Sequence, residues 1–193
     1  AGIQAVVLAT GHRAEQIEES YGPRYRSLEL SYSRETQQLG TGGAVKLALA
    51  EVRTPWVLVL NGDSFCDCKI GDFLAASIRV ASPAAMILAH VPDAGRFGQV
   101  TLSAGGAVTS FSEKKPDAGA GLINAGIYLF KRATLEDLPA GRAHSLEREL
   151  FPALVGHSLW GYQANDAGFI DIGTPESLLS AQKLFKRGAH GDA

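Results

Sequence analysis

Apolar residues fall along this chain in short runs separated by longer stretches of mixed character. Ile3 to Ala9 is one such run, of strand length and interrupted only by Gln4. The stretch after it, from about His12 to Tyr21, carries Ala14, Ile17 and Tyr21 on one helical face. Gly22-Pro23 ends that helix. Leu28 to Tyr32 alternates as a strand, and Gly40-Thr41-Gly42-Gly43 opens a helix of small residues reaching about Glu51. Trp56 to Leu60 and Ala84 to His90 read as buried strands on either side of a helix that Asp72 caps and that ends near Val80. Continuous apolar strands joined by helical crossovers predict an α/β fold with a parallel sheet covered on both faces.

The pattern changes in the second half. Gln99 to Leu102, Val108 to Phe111, Ile123 to Phe130 and Leu159 to Gln163 are strands separated by short or glycine-rich turns, with Gly105-Gly106 as a hairpin signal. A helix interrupts them at about Ser145 to Leu154. Thr174-Pro175-Glu176 combines a cap, a proline and an acid at a helix start, and the helix it opens carries Leu178, Ala181 and Phe185 on one face. One domain over residues 1–188 is expected, with a loose tail from Ala189.

Composition fits that picture. The 193 residues are 46% hydrophobic and 20% charged, with a net charge of −2, which suits a single sizeable core. So balanced a charge argues against nucleic acid or an anionic membrane as main partner, and no apolar run approaches a membrane span. Cys66 and Cys68 stand too close for an unstrained mutual disulfide and lack a second pair to complete a zinc site. They read as reduced thiols of a cytoplasmic protein. Oligomeric state is left open, a homo-oligomer included.

Two carboxylates draw the chemistry together. Trp56 to Leu60 stops abruptly at Asn61-Gly62-Asp63-Ser64, and ligands of open α/β sheets bind beyond strand ends of this kind. Gly62 would let a substrate approach the backbone; a plain turn with capping side chains is the alternative. "GFIDIGTPESL" repeats the pattern, with Asp171 between an apolar strand and a well-capped helix. Should these ends meet, two carboxylates ~4 Å apart would repel by about 4 kcal/mol at an effective dielectric of 20. A divalent cation reverses that cost, and oxygen ligands suit Mg²⁺ bridging to substrate phosphates. Glu113, Lys114 and Lys115 leave a strand just before Pro116, where a lysine can meet a phosphate and the glutamate sugar hydroxyls. Asn124 interrupts an apolar strand and needs partners, from a sugar or from backbone.

The segments "LGTGGA" (39–44), "NGDS" (61–64), "RFG" (96–98), "FSEK" (111–114), "NAGIY" (124–128) and "FIDIGTPE" (169–176) occur in the order found in sugar-1-phosphate nucleotidyltransferases. The chain resembles that family over nearly its whole length. The wording of three of these segments is most similar to the D-glycero-D-manno-heptose 1-phosphate guanylyltransferases. The resemblance implies a Rossmann-like three-layer α/β/α fold with a mostly parallel sheet. It implies a nucleoside triphosphate and a sugar 1-phosphate as partners and Mg²⁺ as cofactor, held by Asp63 and Asp171. Lys114 would meet the sugar phosphate, although Glu113-Lys114-Lys115-Pro116 replaces the usual Glu-Lys-Pro and leaves Lys115 as the rival.

Gly98, Glu113, Asn124 and Gly126 would line the sugar pocket, and Leu39, Gly40, Thr41 and Gly62 would lie beside the nucleotide. Glu35 is a candidate to accept the paired donors of guanine. Family members begin with a strand and a G-G-x-G-T-R-L loop that wraps the triphosphate, and the residues here read as starting at the second strand. Mannose-1-phosphate guanylyltransferases and uridylyl- or thymidylyltransferases are neighbouring readings. A metal-dependent glycosyltransferase would need an Asp-x-Asp, which Asp63-Ser64-Phe65 lacks, and a non-catalytic nucleotide-sugar module is the third class.

Overall fold

A computed structural model describes residues 2–112, 119–165 and 167–188. The chain opens with strand β1 (Ala5–Thr10), helix α1 (Ala14–Tyr21) and strands β2 (Arg24–Tyr25) and β3 (Leu28–Arg34). These strands form one small sheet in the order β1-β3-β2, β1 and β3 parallel and β2 returning antiparallel. Helix α2 (Gly40–Ala48) follows and tightens into a 3₁₀ turn at Leu49–Glu51, and strand β4 spans Trp56–Leu60. A short strand β5 (Ser64–Cys66) leads to helix α3 (Ile70–Val80). Asp72 is not the cap of α3: Lys69 holds that position without a side-chain cap bond, and Asp72 stands inside the first turn, where its charge favours the helix dipole.

Strand β6 (Ala84–Val91), the hairpin β7 (Gln99–Leu102) and β8 (Val108–Ser112), and the long β9 (Gly121–Lys131) come next. Helix α4 is Arg132–Glu136, a π turn at Leu146–Leu150 runs into α5 (Phe151–Leu154), and strands β10 (Leu159–Ala164) and β11 (Phe169–Asp171) precede α6 (Pro175–Gly188). The helix expected at Ser145 to Leu154 thus begins as a wider turn. Pro152 has no N–H to return to the carbonyl four residues back, which disfavours a regular α-ladder there. Thr174 caps α6 as its sequence predicts, its Oγ1 accepting the Ser177 N–H at 3.2 Å.

The main sheet has six strands, in the order β10-β6-β9-β7-β8, with β4 also on β9. The expected α/β class holds, and the sheet is mixed rather than purely parallel: β10 and β6 run parallel, while β9 is antiparallel to β6, β4 and β7. An apolar run reports burial on both faces, not direction, so β6 and β9 look the same in either sense.

Alternation along β6 builds two cores. Ala84, Met86 and Leu88 pack with Tyr128, Phe130, Leu135 and Phe151 on the side of α2, α4 and α5. Ala85, Ile87, Ala89 and Val91 pack with Phe73 of α3 on the other. Helices therefore cover both faces, giving three layers.

The feature that positions the site is a fork in this sheet. β9 bonds along one edge to β6, but its other edge is shared: β4 takes Ile127 to Lys131 and β7 meets Ile123. The two partners part at Asn124 to Gly126. There the chain leaving β4 turns away, its Asn61 N–H donating to the Gly126 carbonyl at 2.8 Å.

Candidate active site

A cleft of about 640 Å³ opens over this fork. Three walls enclose it.

The first wall is the fork itself, with Asn61, Asp63 and Ser64 after β4 and Asn124 and Gly126 on β9. Asn124 finds its partners within the chain. Its Oδ1 accepts the Gly126 N–H at 3.0 Å, its Nδ2 donates to Tyr128 Oη at 2.8 Å, and its backbone N–H donates to the Gly98 carbonyl at 3.1 Å. Gly126 holds φ +76°, and a Cβ there would lie 2.6 Å from Ser64 Oγ and 3.0 Å from Asn61. Only glycine fits both the backbone and the space. Burial, then the nearby Glu147 carboxylate and more weakly Asp63, push the Tyr128 phenol up, so it stays protonated as a hydrogen-bonding group.

The second wall comes from the ribbon of β5 and β11. Their antiparallel pairing sets Asp171 opposite Ser64, and the Ile172 N–H donates to the Asp63 carbonyl at 2.8 Å. The two strand ends thus meet, though as a two-stranded ribbon rather than as neighbours in the main sheet, and both aspartates line the cleft. Asp171 is held by its own turn: Oδ1 accepts the Gly173 N–H at 2.6 Å, while Oδ2 faces Arg96 across 3.8 Å. Arg96, Phe97 and Gly98 extend this wall.

The third wall is the start of α2, with Gly40 and Thr41, against Ser145, Glu147 and Arg148 of the π turn. The glycines of "LGTGGA" have a structural task here. The His144 carbonyl accepts the Gly42 and Gly43 N–H groups at 2.8 and 3.2 Å, and Cβ atoms on Gly40 and Gly42 would come within 2.8 Å of His144. Residue 144 therefore caps α2, a role any side chain on those glycines would obstruct.

Of the residues singled out by sequence, Asp63, Asp171, Gly40, Thr41, Gly98, Asn124 and Gly126 share this cleft. Glu113, Lys114, Lys115, Pro116 and the tail from Ala189 lie outside the described residues. Glu35, Leu39 and Gly62 are not on the cleft wall. Glu35 Oε2 accepts the Leu39 N–H at 3.1 Å and closes that loop, and the Leu39 side chain is buried. Gly62 is exposed, with open space around its Cα.

Arg96, Phe111 and Phe169 begin the segments "RFG", "FSEK" and "FIDIGTPE" but carried no role there, and Ser145, Glu147 and Arg148 were read only as part of a helix; all six also line the cleft. A usable signal existed for one group: "HSLERE" stacks a hydroxyl and three charges ahead of an apolar turn. Cys66 and Cys68 are free thiols away from the cleft, and burial pushes Cys66 up to about 12, which leaves it unreactive.

A family model described as nucleotidyl transferase matches residues 1–187. This chain belongs to the nucleotidyl transferase family. Among curated members, it is 32% identical over 183 residues to the D-glycero-alpha-D-manno-heptose 1-phosphate guanylyltransferase of Aneurinibacillus thermoaerophilus, covering 94% of this chain and 78% of that one. It is also 32% identical to the mannose-1-phosphate guanylyltransferase of Mycobacterium tuberculosis, covering 97% of this chain and 53% of the relative. The chain thus spans about half the length of that mannose enzyme. Among solved structures, HddC from Yersinia pseudotuberculosis complexed with GMP-PN superposes with a TM-score of 0.83 at 30% identity, over 95% of this nucleotidyl transferase chain and 80% of that one. No helix among the described residues is long and apolar enough to cross a membrane.

Proposed function

We propose that this chain forms the substrate cleft of a sugar-1-phosphate guanylyltransferase that moves GMP from GTP to D-glycero-D-manno-heptose 1-phosphate and releases pyrophosphate. The observation that carries this reading is the pairing of β5 with β11, which brings Asp63 and Asp171 to one cleft with Gly40 and Thr41 across from them. Identity to heptose 1-phosphate guanylyltransferases supports the sugar and the base. Equal identity to a mannose-1-phosphate guanylyltransferase makes mannose 1-phosphate the second reading.

The reaction forms a bond from a sugar-phosphate oxygen to the α-phosphorus of GTP and breaks the bond from that phosphorus to pyrophosphate. No protein nucleophile takes part, so the chain contributes positioning and charge. Asp63 and Asp171 fit a Mg²⁺ ion, which is commonly held by one or two carboxylates with waters and substrate phosphates completing its shell. The donors are hard oxygens on neighbouring backbone, and the Gly173 bond fixes the Asp171 carboxylate in place. Held there, the ion would neutralise charge on the α-phosphate.

Arg96, beside Asp171, adds positive charge to the same wall. Asn124, Gly98 and Gly126 shape the sugar side, and Gly40 and Thr41 flank the nucleotide. Lys114 orients the attacking phosphate and Glu113 accepts sugar hydroxyls, assignments that rest on the family resemblance. Consumption of GTP and two free thiols suit a cytoplasmic enzyme.

A pyrophosphate-release screen of the full-length protein, with four nucleoside triphosphates against a panel of sugar 1-phosphates, tests this. GTP paired with a manno-configured sugar 1-phosphate should give the fastest release. Another preferred base would refute the guanylyl assignment, and no release with any pair would refute the enzyme.

A further inference from the structure

Glu147 enters the cleft with a carboxylate that the described residues engage on one side only. Its Oε2 accepts the Thr41 hydroxyl at 2.6 Å and the Ser145 hydroxyl at 3.0 Å. Thr41 Oγ1 in turn accepts the Leu146 N–H at 2.9 Å, and Ser145 Oγ accepts the Arg148 N–H at 3.1 Å. The side chain is thus tied to the start of α2 and to its own π turn, a local geometry frequent at functional sites. Oε1 accepts no hydrogen bond among the described residues. Since Glu147 lines the cleft, that oxygen is available to a ligand.

A carboxylate fixed in this way is an acceptor that suits hydroxyl donors and repels phosphate. Its location narrows the ligand further. Glu147 shares the cleft with Asn124, which donates to the Tyr128 hydroxyl, and with Asp63. Glu147, Asp63 and Asp171 line one cleft of about 640 Å³, so a ligand that carries hydroxyls beside a phosphate can meet all three. A sugar 1-phosphate has that layout; the ribose hydroxyls of GTP are the competing donors, and the GTP titration below separates the two.

We infer that Glu147 determines sugar specificity, its Oε1 accepting hydroxyls of the sugar 1-phosphate while Thr41 and Ser145 hold Oε2. This assignment rests on the guanylyltransferase reading above. It also links the two halves of the cleft, because Thr41, beside the nucleotide, orients the group that reads the sugar.

Calorimetric titration of wild type and Glu147→Gln with D-mannose 1-phosphate, its monodeoxy analogues and GTP tests it. The glutamine keeps the volume and can still accept the Thr41 hydroxyl, but it presents an NH₂ where the second oxygen stood. Sugar-phosphate affinity should fall about tenfold in the variant while GTP affinity stays within about twofold. At least one monodeoxy analogue should bind wild type about tenfold more weakly than its parent, and the variant should not tell the two apart. Equal sugar binding by both proteins, or a parallel loss of GTP, would overturn the Glu147 assignment alone. Monodeoxy analogues that all bind wild type like the parent would overturn it too, with no variant needed. Failure of wild type to bind either D-mannose 1-phosphate or D-glycero-D-manno-heptose 1-phosphate would overturn the guanylyltransferase reading along with it.

Discussion

Gly126 concentrates the demands of the fork on one residue. Its φ of +76° and the 2.6 Å that a Cβ would leave to Ser64 Oγ act together. Gly126→Ala should therefore destabilise the fold by about 1–3 kcal/mol, read from the urea midpoint, with Asn61 and Ser64 displaced. Under the proposed function, Asp63 and Asp171 hold a divalent cation. Either Asp63→Ala or Asp171→Ala should abolish Mn²⁺ binding followed by electron paramagnetic resonance, since a single carboxylate leaves half a site; wild-type affinity in one variant would remove that residue from the site.

The residues legible from sequence were those that break a pattern, such as Asn124 in an apolar strand or an aspartate at a strand end. Glu147 breaks none, being a charged side chain in charged surroundings, and Arg96 stands in a glycine-rich turn where a charge is ordinary. Glu35, the candidate acceptor for guanine, is used locally instead, its Oε2 accepting the Leu39 N–H.

At the scale of elements, the start of α2 decides the shape of the cleft. Its glycines admit the chain at His144, whose carbonyl takes two helix N–H groups, and the π turn with Glu147 follows directly. Gly42→Ala would place a Cβ 2.7 Å from the His144 ring. It should cost about 1–3 kcal/mol in urea unfolding and weaken sugar-phosphate binding, because Glu147 moves with the displaced segment. An unchanged unfolding midpoint would contradict this packing. Strand and helix positions were largely readable from periodicity. The π turn was not, because only Pro152 hints at it, and a proline one turn into a helix also suits a regular start. The strand ending at Asp171 was legible, but its partner β5 was not, since three residues are too few to show a period, and the ribbon was missed with it.

Over the whole molecule, sequence conveyed the α/β class and the covered sheet but not its mixed direction, which depends on how β9 returns between β6 and β4. That return is what makes the fork, and over it the ribbon of β5 and β11 brings Asp63 and Asp171, more than 100 residues apart, into one cleft. The central claim is that this gathered pair drives guanylyl transfer. Its most direct test is the rate of pyrophosphate release from GTP and a manno-configured sugar 1-phosphate, with Mg²⁺, for wild type, Asp63→Ala and Asp171→Ala. Each substitution should lower turnover by roughly 10²-fold or more. Turnover close to wild type in either variant would contradict the claim.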